Sequence, residues 1–249
     1  FDNISKRWIK LNNVNASSRF DIEGLRGTSP YIGSPDTADA IGNAMHSAVS
    51  IYGGSLTAAN VKIEGGGVGF GIEINGATTG AVELTDWHMD VEYRRAANGA
   101  TSRFIQTTSA NPVSQRVSAL RCFSNGTHHG CELRGARSEL VACDITTVGD
   151  GVIVPPGVRG ELSIRGGALR HRIDVDPSLY AARGVHVQST AVTSVTVNDV
   201  NVTGKNESVL IATQTSGGKV NLVSNRWVNN QSAVTVTMAA ADSQNGDAA

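Results

Sequence analysis

The chain has 249 residues, enough for one large domain or two small ones, and carries 21 Lys and Arg against 22 Asp and Glu for a net charge of −1. That balance argues against nucleic acid as a partner, because phosphate binding requires a basic surface. Charged residues make up only 17% while Gly numbers 28, a composition of short strands and tight turns rather than helices, and no apolar run approaches the ~20 residues of a membrane span.

In chain order, Phe1 opens the sequence without Met or a signal peptide, so a mature or excised fragment is expected. Trp8 to Val14 and Phe20 to Ile22 read as a first coil. Two kinds of short alternating apolar run then interleave. One kind begins at Val49, Ile72, Phe104, Cys131, Val152, Val185, Val209 and Val234, at intervals of 21 to 33 residues. The other begins at Val61, Val82, Ser118, Leu140, Leu162, Val195 and Val220. Two strands per unit and roughly 21 to 25 residues per turn describe a parallel β-helix. A β-sandwich is the alternative, since it also shows closely spaced short strands.

Several local signals read as structural. Asp86, Asp144 and Asp199 each fall four residues after the start of a run and are predicted to be turn residues bonding nearby backbone amides. "GGGVGFG" (Gly65 to Gly71) joins strand to strand and reads as a tight corner rather than a phosphate loop. Cys122, Cys131 and Cys143 include no C-x-x-C pair, which suggests neither a disulfide framework nor a zinc site. Cys122 and Cys143 are predicted to be buried neighbours in one column.

The stretches VELTDW, LVACDITTVGDGVIV and VTVNDVNVTG resemble coils of the right-handed parallel β-helix superfamily, which includes pectate lyases, polygalacturonases and bacteriophage tailspikes. The resemblance runs from Trp8 to Met238. It implies an all-β, single-stranded right-handed parallel β-helix of about 8–10 coils over residues 1–238, followed by a soft tail at 239–249. A tailspike segment is the nearest likeness. It implies a polysaccharide partner, a homotrimer, a place on the virion tail or outside the cell, and no cofactor, with calcium only if the chain is a lyase.

Links between the two kinds of run are 11 to 14 residues long except at two places, where they reach 22 and 23. Both long links fall on one edge, three coil steps or about 14 Å apart. They predict a lateral groove walled by 86–103 and 166–183 and floored by 124–130 and 146–151. Trp87, Tyr93 and Tyr180 offer flat faces to sugar rings. His88, Arg94, Arg95, His128, His129, Arg170, His171 and Arg172 offer hydrogen bonds to hydroxyls or acidic sugars. Glycoside hydrolysis needs two carboxyl groups, and stacked coils supply suitable separations. Asp150 on the floor, paired with Asp90, Glu92, Asp174 or Asp176 on the walls, is the predicted catalytic set. The alternatives are a non-catalytic glycan binder, a structural shaft, and a lyase using Arg170 or Arg172 with Asp174 and Asp176.

Overall fold

A computed structural model describes residues 7–12, 15, 17–29, 45–66, 68–75, 80–92, 102–108, 115–174, 182–214 and 218–238. These form 23 strands and no helix, and hence no helix long and apolar enough to cross a membrane. Nine strands make one sheet: β1 (Arg7–Leu11), β4 (Met45–Ile51), β7 (Val68–Ile74), β10 (Arg103–Thr107), β13 (His129–Glu132), β15 (Val152–Val154), β17 (Arg183–Val187), β20 (Glu207–Gln214) and β23 (Ser232–Met238). The other fourteen make a second sheet with two legs. Its first leg holds β2 (Arg19–Glu23), β5 (Ser55–Ala59), β8 (Ala81–Thr85), β11 (Arg116–Leu120), β18 (Ser194–Asn198) and β21 (Lys219–Val223). The second leg holds β3 (Arg26–Ser29), β6 (Lys62–Gly65), β9 (His88–Val91), β12 (Phe123–Thr127), β19 (Asn201–Thr203) and β22 (Arg226–Val228). β14 (Arg137–Thr147) and β16 (Glu161–His171) are long enough to serve both legs.

Every strand pairs in parallel with its counterpart one repeat along. That excludes the antiparallel sandwich and is compatible with a parallel β-helix. Val49, Ile72, Ile105, Cys131, Val152, Val185 and Val209 stand in one column by register, each fully buried. Matching columns on the two legs pack against it, including Leu56, Val82, Leu162, Val195 and, on the second leg, Ile63, Met89, Ile145, Leu169 and Val202. Each such side chain contributes roughly 1.5–3 kcal/mol by leaving water. Stacking is therefore what lets runs of three to five residues persist as strands.

The repeat has three strands, not two. The run predicted at Val61 belongs to the bend before the second leg, and the true partner of Val82 is Leu56. Likewise Val117, Ser138 and Ile105 replace Ser118, Leu140 and Phe104 as register partners. Leu140 misled because it is two residues from Ser138 and so faces inward as well.

Between the legs the chain turns through one left-handed residue per coil: Gly24, Asn60, Asp86, Arg121, Ala142, Gly166, Asp199 and Ser224, with φ from 51° to 69°. The amide of Asn60, Asp86, Arg121 or Asp199 donates to the carbonyl just before the same bend in the next coil, so the ladder continues around the corner. Asp86 and Asp199 thus hold bend positions. Asp144 does not: it lies within β14, opposite Phe123 and Ala168. Ala142 is the one bend residue with neither glycine's freedom nor a side-chain hydrogen-bonding group. Ala142→Gly is expected to raise stability by about 0.5–1 kcal/mol in a thermal melt, because a left-handed Ala carries strain that Gly lacks.

Of the glycine run predicted to be a corner, Gly65 (φ 105°) ends β6 and Val68 to Gly71 lie within β7, so only its first part falls between strands; Gly67 lies outside the described residues. The three cysteines are free and buried. The amide of Asp144 donates to the carbonyl of Cys122, which sets Cys122 and Cys143 side by side in neighbouring coils.

Candidate functional site

The two long links leave from the same corner, one between β9 and β10 and the other between β16 and β17. Three strand steps separate β9 from β16, through β12 and β14. A third long link, residues 30–44 between β3 and β4, leaves there as well and was not counted in the sequence. The stretches 93–101 and 175–181 lie outside the described residues, and with them Tyr93, Arg94, Arg95, Asp176 and Tyr180.

Next to this corner runs the outer face of the nine-stranded sheet. Between the inward positions of successive strands stand Ser50, Glu73, Gln106, Glu132, Ile153 and His186, in register across six strands. Although this row faces away from the core, Glu73 and Glu132 are only 8% and 7% exposed. A buried carboxylate must find partners. Glu73 Oε2 accepts from Ser50 Oγ (2.9 Å), Tyr52 OH (3.2 Å) and Arg7 Nη2 (3.2 Å). Burial and that carboxylate push the Tyr52 phenol above its ordinary range. Glu132 is clamped by Arg103 Nη2 at 2.9 Å and Arg134 Nη2 at 2.8 Å. Burial holds Arg103 below its usual value.

The third acid of this face is Asp150, 6% exposed, in the turn between β14 and β15. Its Oδ1 accepts the Arg183 amide at 2.8 Å, and its Oδ2 lies 2.8 Å from His186 Nδ1. Its own amide donates to His129 Nδ1 at 2.9 Å. Burial alone would raise the Asp150 carboxyl; the His186 hydrogen bond, the His186 and His129 rings and the Arg183 amide outweigh it and hold the carboxyl low. The Asp150 carboxylate can only accept, so in this contact His186 Nδ1 donates and Nε2 is the ring nitrogen left for another partner.

Burial, with His128 beside it, pushes the His129 imidazole down to about 3. Unfolded His titrates near 6.5, so between about 6.5 and 3 the unfolded chain binds a proton that the folded chain does not. Stability from this group is present above about 6.5 and falls as pH drops through that window. His129→Gln, which keeps an acceptor for the Asp150 amide, is expected to flatten the decline in melting temperature between pH 7 and 4.

The remaining predicted residues divide between two faces. Asp90 and Arg170 stand on the outer row of the second leg with Asn125 and Thr146. There Asp90 accepts from Asn125 Nδ2 at 2.9 Å, and Arg170 pairs with Asp144 at 3.6 Å. His88 stacks on Phe123 with ring centroids 4.6 Å apart. Glu92 follows β9, its amide donating to the Gly65 carbonyl. Asp174 is exposed and paired to Arg172 at 2.7 Å, which holds its carboxyl low. His171 ends β16 beside Thr147, half-buried. His128 donates its amide to Ser102 Oγ, and its ring meets His129 edge-on.

Two expectations are corrected. Trp87 is no sugar platform: it is fully buried, edge-on to Phe104 at 6.2 Å. The left-handed Asp86 just before it resets the alternation and turns the indole inward. Asp150 is no open floor acid, since both carboxylate oxygens are already engaged inside the corner.

Glu73, Glu132, Arg103, Arg183 and His186 were not singled out from the sequence. The signal was the middle residue of each aligned run, "IEI", "IQT", "CEL" and "VHV". A shallow groove also crosses the outer face of the first leg, lined by Arg19, Asp21, Glu83, Arg116, Arg137 and Glu139. It contains no buried polar side chain, whereas the nine-stranded face contains several. No cluster of three or more His, Cys, Asp or Glu able to hold a metal ion occurs among the described residues. Comparison of the chain with protein-family models, curated proteins and solved structures finds no match.

Proposed function

We propose that this chain is a right-handed parallel β-helix that binds a bacterial surface polysaccharide and hydrolyses it along the outer face of the nine-stranded sheet, beside the corner where the long links leave. The observation that carries the reading is the Asp150–His186 pair. A buried carboxylate lies 2.8 Å from an imidazole on this outer row; an imidazole so held takes a proton from water as that water attacks the anomeric carbon, and the imidazolium returns the proton to the leaving glycosidic oxygen. Arg183 and the Arg103–Glu132–Arg134 cluster flank it and supply donors for sugar oxygens. Glu132, clamped by two arginines, serves as a binding group rather than a proton donor. Homotrimeric assembly on a phage tail belongs to the same proposal.

One observation favours a second reading, glycan binding without cleavage: the carboxylates of Glu73 and Glu132 are already saturated by arginine and hydroxyl donors. A panel of bacterial capsular polysaccharides and lipopolysaccharides separates the two. The hydrolase reading expects discrete oligosaccharides with new reducing ends and no ultraviolet absorbance of unsaturated sugar. Unsaturated products mean elimination, with His186 as the base and Arg183 beside it. Binding without products leaves the second reading, and neither binding nor products removes both.

A further inference from the structure

We infer that Lys205 is a positioning residue for the Asp150–His186 pair, an internal strut that holds the turn carrying Asp150. The inference rests on the reading of that pair as the working site.

Lys205 is 1% exposed. In sequence it follows Gly204 in a polar turn, a setting in which lysine is ordinarily solvated. Here its side chain runs inward to a turn 58 residues earlier. Nζ donates to Thr147 Oγ1 (2.7 Å), to the Gly149 carbonyl (2.6 Å) and to the Thr147 carbonyl (3.3 Å). Thr147 Oγ1 in turn donates to the Gly149 carbonyl at 2.9 Å. The hydroxyl proton is thus committed, and the three acceptors match the three protons of an ammonium group.

The reach of the lysine side chain skips one coil: Lys205 follows β19 and the Asp150 turn follows β14, with β16 paired between those two strands. Its own base is fixed by the next coil: the Lys205 amide donates to Asn230 Oδ1 at 2.7 Å, and its carbonyl accepts from Gln231. At the far end Gly149 is followed by Asp150, whose amide meets His129 and whose carboxylate meets Arg183 and His186. One polar network therefore joins His129, Thr147, Asp150, His186 and Lys205 across four successive coils.

The charged and titratable groups facing Lys205 are Asp150, which favours its proton, and His129, which burial keeps neutral. Burial brings the ammonium down to about 7. Raising the pH through neutrality therefore removes one of the three donors from the turn. Between about 7 and the ordinary lysine range, the unfolded chain holds a proton that the folded chain lacks, so the stability contribution of this group rises with pH. The Asp150 turn is expected to loosen as pH rises through about 7, whereas the stability contribution grows above it, which separates positioning from stability.

Lys205→Met keeps the apolar stem and removes the donors. The readout is the imidazole nitrogen NMR spectrum of the full chain at neutral pH. The His129 and His186 ring signals are expected to shift or broaden in Lys205→Met, and cleavage of a responsive glycan to fall about 10²-fold, as for a displaced catalytic group. Thr147→Val, which deletes only the bridging hydroxyl, is expected to move the same signals less, and it decides the matter where Lys205→Met does not fold. Unchanged His129 and His186 ring signals in the folded variant would overturn the inference. Moved signals in a chain that cleaves no glycan would uphold the positioning role and remove the hydrolase reading instead.

Discussion

Asp150→Asn is expected to abolish glycan cleavage while leaving a folded chain. The amide still accepts the Arg183 N–H through its oxygen, but its NH2 then faces His186 Nδ1 and inverts the imidazole's tautomer. Where a buried Asp orients a catalytic His, that inversion costs on the order of 10⁴-fold in kcat. Steady-state rates on a responsive glycan measure it. Asp150→Ala goes further, leaving the Arg183 amide and the imidazole without their partner, and is expected to cost about 1–3 kcal/mol, the usual penalty for leaving a buried hydrogen-bonding group unsatisfied. Because the folded carboxyl is held low, its stabilisation is present above the unfolded value of about 3.9 and is lost as pH falls through the folded one. The wild-type advantage over Asp150→Asn in melting temperature is therefore expected to shrink below about pH 4. An Asp150→Asn chain that cleaves at the wild-type rate would remove Asp150 from the site.

Trp87→Ala is expected to cost about 3–5 kcal/mol, the range for emptying a large aromatic site in a packed core. Trp87 lies at the entry to the second leg and meets Phe104 of the nine-stranded sheet edge-on, so it ties the two sheets together. Loss of the indole leaves a cavity that strands fixed by ladders on both sides cannot collapse to fill. Chemical denaturation should show an earlier midpoint. Trp87→Phe, which refills part of the volume, should recover much of the loss and leave glycan affinity unchanged. A Trp87→Phe chain of wild-type stability with weakened glycan binding would restore the sugar-platform role.

The parts of this fold legible in the sequence were those governed by alternation. Val185-His186-Val187 and Val195-Thr196-Val197 announced strands because every second side chain must enter the core. The equivalent runs at Ile72, Cys131 and Val209 made the repeat visible. The third strand was hidden because alternation does not survive the bend. One left-handed residue, such as Asp199 or Asp86, rotates the chain so that the count restarts. Asn201–Thr203 then looks like the tail of a turn, and Trp87 looks exposed.

The site was only half legible for a related reason. Long polar links such as 86–103 and 166–183 draw attention because their polarity is explicit. Glu73, Glu132 and His186 sit at positions that alternation marks as outward and therefore solvated. Their burial depends on neighbouring coils, which no local pattern encodes. Lys205 is the extreme case. Nothing in "TGKNES" says that the lysine turns inward, because its acceptors, Thr147 and Gly149, lie 58 and 56 residues earlier in the chain.

The most direct measurement of the central claim is amide and imidazole shift mapping of the chain titrated with an oligosaccharide from a bound or cleaved glycan. Binding across the outer face of the nine-stranded sheet is expected to move Gln106, Glu132, Ile153 and His186 together, with one affinity. Shifts confined to Asp90, Asn125 and Arg170 on the second leg, or to Glu83, Arg116 and Arg137 on the first, would place the glycan on another face and contradict the account.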